Sequence, residues 1–127
     1  MPARKPEECD TILVDAINKG DLEAAVALYE PNARFVQESG EVVTGHPAIR
    51  EEMKAFLAIK PKFTINVTGV QSADGNIALT QAKWTVTGTG PDGKPVTMSG
   101  RSAEVVRKQA DGSWKFLIDN PRGGQDT

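Results

Sequence analysis

The sequence predicts a single α+β domain, residues 1–127, in which a curved and mostly antiparallel sheet wraps as a cone around three N-terminal helices. Two observations predict this class. Apolar residues recur with the period of a helix early in the chain and with the two-residue period of a strand later on. The strand segments follow one another with short turns, which favours antiparallel pairing, and the helices are collected ahead of them, which is typical of helices packed on one face of a sheet.

The first helix is predicted from about Glu7 to Lys19, and Gly20 provides its C-terminal stop. Its apolar residues share the i, i+3, i+4, i+7, i+8 spacing of one buried stripe: Cys9, Ile12, Leu13, Ala16 and Ile17. Cys9 therefore belongs to the packed face, and we expect it to be chemically inert.

A second, shorter helix is predicted after Asp21, which is a good N-cap residue. Its apolar side contains Leu22, Ala25, Val26 and Tyr29, and Pro31 limits its extent. Tyr29 ends this helix, and its hydroxyl points either outward or towards a pocket.

A hairpin and a third helix come next. Two short extended runs flank Ser39-Gly40, which reads as the hairpin turn. Pro47 then suits the first turn of a helix, where its missing N–H does no harm. The inner face of this helix is predicted to hold Ile49, Met53, Phe56 and Leu57.

The remainder of the chain predicts four strands with alternating faces. Turns are expected at Asp74-Gly75-Asn76, at the segment G-P-D-G-K-P and at Asp111-Gly112. The third of these strands is long, from about Val96 to Lys108, and the last one contains W-K-F-L-I-D. Because this last strand is apolar on both faces, one face needs cover from outside the domain, and a second copy in a homodimer is the simplest provider.

Composition excludes several classes of function. The net charge of −2 gives no broad attraction to nucleic acid or to an anionic membrane, and no apolar run is long enough to span a bilayer. The N-terminus has no hydrophobic signal segment, and the single Cys9 cannot form an internal disulfide, so we expect a cytoplasmic protein. One cysteine and one histidine, His46, are too few for a structural zinc site built from these residue types alone, and no metal site is predicted.

Three segments resemble the nuclear-transport-factor-2-like superfamily, which includes ketosteroid isomerases and SnoaL-type polyketide cyclases. They are A-I-N-K-G-D-L-E-A-A-V-A-L-Y-E-P-N-A-R-F-V, V-V-T-G-H-P-A-I-R-E-E-M and D-G-S-W-K-F-L-I-D-N-P, and the likeness runs from about Glu7 to Pro121. The resemblance implies the cone-shaped, ketosteroid isomerase-like roll, with a pocket inside it. It does not specify a function, since this scaffold hosts enzymes, binding modules and assembly domains.

The resemblance also allows a test for steroid isomerase chemistry, which needs a carboxylate base and two donors to an oxyanion. Matched on N-x-G-D-L, the isomerase tyrosine falls at Leu13, the base aspartate at Gln37 and the acid of the oxyanion hole near Glu104. Since Leu13 donates nothing and Gln37 is no base, the sequence argues against that mechanism. SnoaL-type cyclases use one aspartate near the end of the chain and no metal or redox cofactor. Asp119 is the best counterpart of that aspartate in this sequence.

Asp119 has two interpretations. By strand parity it shares a face with Leu117 and Lys115, opposite Trp114, Phe116 and Ile118. If the Leu117 face is the inner one, Asp119 is a pocket acid with a raised pKa that can shuttle a proton. The other interpretation is an Asx-turn before Asn120-Pro121, and we favour it because it is the commoner role of Asp in that context.

Glu104 also has two interpretations. It shares a face with Met98, Ser102 and Val106, and it enters the pocket if that face is concave. A bulge that switched the parity would instead turn Arg101 inward and leave Glu104 in solvent. The sequence does not decide between them.

The remaining pocket residues are predicted from parity and from the helix faces. Gln37 would orient a ligand carbonyl or hydroxyl, while Trp84, Phe56, Leu13 and Leu117 would form apolar walls. Core packing alone would also explain Trp84 and Phe56. His46, before Pro47, is expected to belong to the start of a helix and not to act as a base.

Two functional hypotheses follow. The first is an acid/base isomerase or cyclase that acts on a small hydrophobic, ring-bearing or polyketide-like molecule, with Asp119 and Glu104 as catalytic residues and no cofactor. The second is a non-catalytic ligand-binding or dimeric assembly domain, which is favoured by the loss of two of the three isomerase groups. The sequence leaves open whether the protein is an enzyme.

Overall fold

The computed structural model describes residues 2–125. In it, helices and strands alternate early in the chain and strands dominate later. In chain order the elements are α1 Pro6–Lys19, α2 Leu22–Val26, β1 Tyr29–Val36, β2 Val42–Thr44, α3 His46–Leu57, β3 Lys62–Gln71, β4 Ile77–Thr89, β5 Pro95–Lys108 and β6 Trp114–Asn120. The strands form one sheet in the order β2-β1-β6-β5-β4-β3. Within it only β1 and β6 pair in parallel. The predicted α+β fold with a mostly antiparallel sheet is confirmed.

The first helix ends, and the second begins, where their capping residues predict. Gly20 adopts a left-handed conformation with φ of 71°, and its N–H bonds back to the last turn of α1. The Asp21 carboxylate accepts a hydrogen bond from the N–H of Ala24 at 3.1 Å, which satisfies a free donor at the start of α2. The short link between these caps lets both helices pack on the same side of the sheet.

The prediction that Tyr29 belongs to the second helix is wrong. Helix α2 ends at Val26, and Tyr29 is the first residue of β1. Pro31 lies inside this strand, at the point where the register between β1 and β6 shifts between Tyr29 and Arg34. Proline is tolerated there because an interrupted ladder needs no N–H donor. As a strand residue, Tyr29 is fully buried under the helices.

A bulge in β6 changes which side chains face inward. Val105 of β5 pairs with Ile118 and the next residue, Val106, pairs with Phe116, so Leu117 has no partner. This extra residue shifts the strand parity by one. Phe116 and Asp119 therefore both lie on the concave side, whereas Ile118 is 39% exposed on the outer side. The prediction that Asp119 shares its face with Leu117 is wrong for this reason.

The core lies between the helices and the concave face of the sheet. Ile17 of α1 and Ile49 of α3 are buried there against Tyr29 and Phe116, whose ring centroids are 4.9 Å apart. Burying each such side chain contributes about 1.5–3 kcal/mol to the free energy of unfolding. The helices do not fill the whole concave surface, which leaves room for the cavity described below.

The outer face of the sheet carries an apolar row across four strands. Val70, Leu79, Val105 and Ile118 are successive cross-strand partners. Val70 is 71% and Leu79 46% exposed. Nothing within residues 2–125 covers this row, which we call the outer apolar row. None of the described helices is both long enough and apolar enough to span a membrane.

Candidate functional site

A cavity of about 480 Å³ lies between the concave face of the sheet and helices α1 and α3. Its walls are mostly apolar. Leu13, Val14 and Ile17 of α1 form one side, and Met53 and Phe56 of α3 form another. A hollow of this size and composition is typical of sites for small organic molecules, which bury most of their surface against apolar side chains.

Aromatic rings form the part of the wall made by α3, β3 and β4. Phe56 and Phe63 meet edge to face with ring centroids 5.6 Å apart, and Phe63 meets Trp84 in the same way at 6.4 Å. The Trp84 indole N–H donates a hydrogen bond to the Pro121 carbonyl oxygen at 2.7 Å, which fixes the ring. These rings present flat apolar surfaces to a ligand.

Polar side chains line one row of the sheet on the floor of the cavity. Thr80 of β4 lies opposite Glu104 of β5, Glu104 lies opposite Asp119 of β6, and Asp119 lies opposite Phe35 of β1. Alternating side chains in register across neighbouring strands bring these groups side by side on one face. Glu104 and Asp119 are 3% and 7% exposed, so both carboxyl groups are removed from bulk water.

Helix α1 adds a third carboxyl group to this floor. Asp10 is 6% exposed, lines the cavity and lies against Glu104. We call Asp10, Glu104 and Asp119 the carboxyl cluster. Among the described residues that line the cavity, Arg122 is the one basic side chain, and it lies at the opening. The cluster is therefore buried without a neutralising cation.

Tyr29 holds Asp119 in place. Its hydroxyl donates a hydrogen bond to Asp119 Oδ2 at 2.5 Å. Burial and the neighbouring carboxylates raise the pKa of the Tyr29 phenol well above its usual value, so it stays protonated and keeps this role as a donor. The bond stabilises the ionised form of Asp119 and restricts its rotamer, which leaves the carboxyl at a defined place in the floor.

Asp10 and Glu104 share a proton. The Thr80 hydroxyl donates to Glu104 Oε1 at 3.1 Å. Asp10 Oδ1 and Glu104 Oε2 are buried and reached by no donor of the described residues. The two carboxyls contact each other, and two carboxyl groups can hydrogen-bond only when one of them is protonated. Burial, followed by the contact with Asp10, raises the pKa of Glu104 far above its usual range, so Glu104 carries this proton.

The other two carboxyls titrate nearer to neutrality. Burial is the main cause that raises the pKa of Asp119 to about 7, the neighbouring Glu104 carboxyl adds to it, and the bond from Tyr29 opposes it. Burial also raises the pKa of Asp10, although the hydrogen bond from Glu104 limits the rise. The cluster thus places a protonated acid, Glu104, beside a carboxyl that is half ionised near pH 7.

Four polar side chains surround the opening of the cavity and form two pairs. We call this set the mouth: Gln37, Glu38, Glu52 and Arg122. The Gln37 amide donates to Glu52 Oε1 at 2.5 Å. The Arg122 guanidinium donates to Glu38 Oε2 at 2.9 Å and lies 5.1 Å from the centre of the Trp84 ring. Each acid of the mouth therefore has a hydrogen-bonding partner.

The structure brings most of the sequence-predicted pocket residues together. Leu13, Phe56 and Trp84 lie in the wall, and Gln37, just after β1, lies at the mouth. Leu117 is the exception among the predicted walls. It is taken up in the β6 bulge and does not line the cavity, so its predicted inward orientation is wrong.

The alternatives for the two acids are resolved in favour of the cavity. Asp119 lies within β6 and not in a turn, so the favoured Asx-turn interpretation is wrong. The turn role falls to Asn120, whose Oδ1 accepts from the N–H of Arg122 at 3.4 Å. Glu104 faces inward with Ser102 and Val106, and Arg101 is exposed.

Sequence reasoning missed Asp10 and assigned Tyr29 to the wrong element. A signal for Asp10 was present, because Asp10, Leu13, Val14 and Ile17 follow the i, i+3, i+4, i+7 spacing of one helix face. A charged residue on an apolar face is the feature to notice. Tyr29 gave no comparable signal, since the proline two residues later masks the start of the strand.

The other singled-out residues have structural places. His46 is the first residue of α3, as expected, and one ring nitrogen lies 2.7 Å from the Tyr29 carbonyl oxygen. Cys9 is fully buried, and burial is the main cause that raises its pKa, which favours an unreactive thiol. Across residues 2–125, no group of three or more His, Cys, Asp and Glu side chains has an arrangement that could hold a metal ion.

Solved structures share this fold. A protein from Xanthomonas campestris, provisionally named a calcium/calmodulin-dependent protein kinase II association domain, is 25% identical with a TM-score of 0.75, over 94% of this chain and 86% of that one. A ketosteroid isomerase-like protein from Erwinia carotovora atroseptica is 17% identical with a TM-score of 0.78, over 90% and 89%. SalBIII, an epoxide hydrolase/cyclase-like enzyme of pyran ring formation in the polyether salinomycin, is 18% identical with a TM-score of 0.69, over 90% and 86%.

The sequence comparison agrees with the fold. No curated protein is significantly similar in sequence to this chain. The family model described as the SnoaL-like domain matches residues 12–116, a span that includes the cavity walls and Glu104. The chain therefore belongs to the SnoaL-like domain family, within the nuclear-transport-factor-2-like superfamily.

Proposed function

We propose that this protein is an acid/base enzyme of the isomerase or cyclase kind, which moves a proton on a neutral, apolar, ring-bearing or polyketide-like ketone. Asp119 is the base and Glu104 is the acid. The observation that carries this proposal is the pair of neighbouring carboxyl groups on the floor of an otherwise apolar cavity, held in different protonation states by their surroundings.

The two carboxyls have the environments that their roles require. Asp119, with a pKa raised to about 7, accepts and returns protons near neutral pH with little driving force lost in either direction. Glu104 keeps its proton because it is buried against Asp10, and in the complex it turns this one O–H donor from Asp10 to a ligand oxygen. Tyr29 positions Asp119 by its hydrogen bond at 2.5 Å and does not contact the reacting carbon in this scheme.

The proposed steps conserve atoms and electrons. Asp119 takes a proton from the carbon next to a ligand carbonyl, and the C–H electron pair moves into an enolate whose oxygen is stabilised by the proton of Glu104. In an isomerisation, Asp119 returns the proton to a different carbon of the same conjugated system. In a cyclisation, the enolate carbon attacks a second carbonyl of the same molecule, and the proton goes to the new alkoxide. Neither outcome is a net oxidation or reduction.

The walls support the ring-bearing ligand. Phe56, Phe63 and Trp84 offer aromatic faces in a space of about 480 Å³, which is large enough for a fused ring system. A ketosteroid isomerase-like protein and the epoxide hydrolase/cyclase-like enzyme SalBIII have a similar fold, which supports a reaction of this kind. At these identities the likeness supports the scaffold, while the choice of reaction rests on the carboxyl cluster.

The test is proton exchange at carbon. β-Tetralone is a fused-ring ketone with acidic protons beside its carbonyl, and their exchange in deuterium oxide can be followed by NMR. We expect the protein to accelerate the exchange, and Asp119→Asn to reduce the acceleration by about 10²–10⁴-fold, as for loss of a general base. Asp15→Asn, which removes an exposed acid from the outer side of α1, is the matched control.

Two results would contradict the proposal: exchange at the background rate with the wild-type protein across a panel of fused-ring ketones, or an unchanged rate in Asp119→Asn. A ligand-dependent rise in melting temperature without any exchange would instead favour the non-catalytic ligand-binding function.

A second candidate function, that of a dimeric assembly domain, is favoured by the outer apolar row. Exposed valine, leucine and isoleucine in cross-strand contact form a continuous patch that water disfavours. A second copy of the same sheet face would cover it by two-fold symmetry. We expect a homodimer at micromolar concentration by light scattering and a monomer for Leu79→Lys, with Lys83→Ala as a control on the same strand. A monomeric wild-type protein would count against assembly and would leave the enzyme proposal untouched.

A further inference from the structure

The carboxyl cluster has more hydrogen-bond acceptors than donors. Its three carboxyl groups contain six oxygen atoms. The described residues supply the Tyr29 hydroxyl to Asp119 and the Thr80 hydroxyl to Glu104. The remaining proton is the one that Asp10 and Glu104 share. An ionised carboxylate oxygen can accept two hydrogen bonds, so this one proton leaves acceptor capacity on Asp10 unused.

Asp10 Oδ1 depends on the proton that Asp10 shares with Glu104. Apart from this shared proton, no side-chain or backbone donor of the described residues reaches Asp10 Oδ1, although the residue is 6% exposed and lines the cavity. When Glu104 donates its proton to a ligand carbonyl, Asp10 is left as a buried carboxylate oxygen without a donor, which opposes binding. A ligand that brings a donor to this position would recover that loss, and the recovered free energy would appear as affinity and specificity.

We infer that Asp10 is a ligand-binding residue, and that the ligand is a neutral ring ketone with a hydroxyl group, which donates a hydrogen bond to Asp10 while the carbonyl lies at Glu104. This inference rests on the proposed function for the position of the carbonyl. It adds a recognition residue from α1 and a second polar group on the ligand. It also defines a class of compounds: hydroxylated cyclic ketones.

The same charges exclude anionic ligands. Arg122 is the one basic side chain among the described residues of the lining, and it lies at the mouth, where it donates to Glu38. A carboxylate or phosphate on the ligand would have to leave water and approach Asp10 and Asp119 with no cation beside it. Buried like charges are strongly unfavourable in an apolar environment. The ligand should therefore carry its oxygens as ketone and hydroxyl groups and not as free acids.

The inference is tested by binding, with three substituted β-tetralones that differ in one group. The ring-hydroxylated compounds have the donor, the corresponding methoxy compounds keep the oxygen but lack the donor, and the carboxy compounds add a negative charge. All ring positions are compared for each group by isothermal titration calorimetry. We expect the best hydroxy isomer to bind at least about tenfold tighter than its methoxy counterpart, and the carboxylates to bind at least about a hundredfold more weakly.

Two variants on the same helix assign the effect to Asp10. Asp10→Leu keeps the approximate size of the side chain but removes its acceptors, and it should reduce the preference for hydroxy over methoxy compounds to less than about twofold. Asp15→Leu is the matched control, because Asp15 is exposed and pairs with Lys19 at 2.9 Å. It should keep the full preference. Circular dichroism checks that both variants are folded, and Asp10→Ala, which also removes the acceptors, serves as the second variant if the leucine variant is not.

Several results would overturn the inference: equal binding of hydroxy and methoxy compounds, binding of a carboxylate as tight as that of the alcohol, no binding of any of the three classes, or an unchanged preference in folded Asp10→Leu or folded Asp10→Ala. Proton exchange is not a readout in this experiment. Loss of the Asp119-dependent exchange with an intact hydroxyl preference would reject the proposed reaction and keep the ligand class.

Discussion

The carboxyl cluster and the mouth both contain acidic side chains, but the two regions treat them differently. At the mouth, Glu38 is paired with Arg122 at 2.9 Å and is largely in water, and Glu52 accepts from Gln37. In the cluster, Asp10, Glu104 and Asp119 are nearly inaccessible to water and have hydroxyl groups and one shared proton as their partners. Acidic side chains thus lie both at the mouth, where a negative charge is easily tolerated, and in the carboxyl cluster, where it is not.

The difference shows which region opposes folding. An exposed, paired acid changes the free energy of unfolding by little, whereas a buried carboxyl without a cation loses hydration that the fold does not return. Departures from good local packing of this kind tend to occur at functional sites. The comparison therefore points to the cluster as the reactive part of the cavity, with the mouth as a polar rim.

The largest expected effect is a reversed dependence of stability on pH. The pKa of Asp119 is raised from 3.8 to about 7 in the folded protein, so between these values the folded state holds a proton that the unfolded state has released. The free energy of unfolding must then fall as pH rises through this window. For Asp119 alone we expect a decrease of about 2–3 kcal/mol between pH 5 and pH 8, measured by urea denaturation. Glu104 and Asp10, whose pKa values are also raised, add to this decrease.

The opposite slope, with stability rising from pH 5 to pH 8, would contradict the account of the cluster as an uncompensated acid group. Acids with lowered pKa values, such as Glu30 beside Arg107, act in the other direction but titrate below this window. A flat profile would mean that the cluster is better compensated than its hydrogen bonds indicate.

The next effect concerns Asp119→Asn, which removes the charge and keeps an oxygen that accepts from Tyr29. We expect the stability of this variant relative to the wild type to rise by about 2–3 kcal/mol from pH 5 to pH 8, because folding of the wild type must bind a proton over this range and folding of the asparagine variant need not. Melting temperature and urea midpoint at the two pH values measure it. A variant destabilised at pH 8 would indicate that the Tyr29–Asp119 bond outweighs the loss of hydration.

The smallest effect is expected at the mouth. Glu38→Gln removes the charge that pairs with Arg122, but Glu38 is largely exposed and the pair is screened by water and salt. The free energy of unfolding should change by less than about 0.5 kcal/mol, with no dependence on pH between 5 and 8. A change as large as that of Asp119→Asn in the same urea experiment would remove the distinction between the two regions.

The fold could be predicted from sequence because its signals are local and repeated. The stripe of α1, its stop at Gly20 and the two-residue alternation of β4 each span many residues, so one irregularity does not hide them. The start of β1 was missed because Pro31 weakens the strand pattern just where the register shifts. Strand propensity reflects the local sequence alone, whereas the neighbouring strands of the folded sheet compensate for a residue of low strand propensity such as Pro31.

The site was harder to predict because it depends on register. Whether Asp119 faces inward is decided by the unpaired Leu117, and a bulge of one residue leaves no mark in composition or spacing. Glu104 could be placed only as one of two alternatives for the same reason. Asp10 required a contact between α1 and β5, which no local pattern contains.

The single unpaired residue in β6 also says something about how this fold diversifies. If Leu117 instead paired with Val105, the ladder would be regular and the residues beyond it would exchange faces, so Ile118 would enter the hollow and Asp119 would leave it. Descendants that form this strand with or without the bulge could therefore be reactive or inert inside the same framework. Gain and loss of chemistry in such a lineage need not pass through many substitutions.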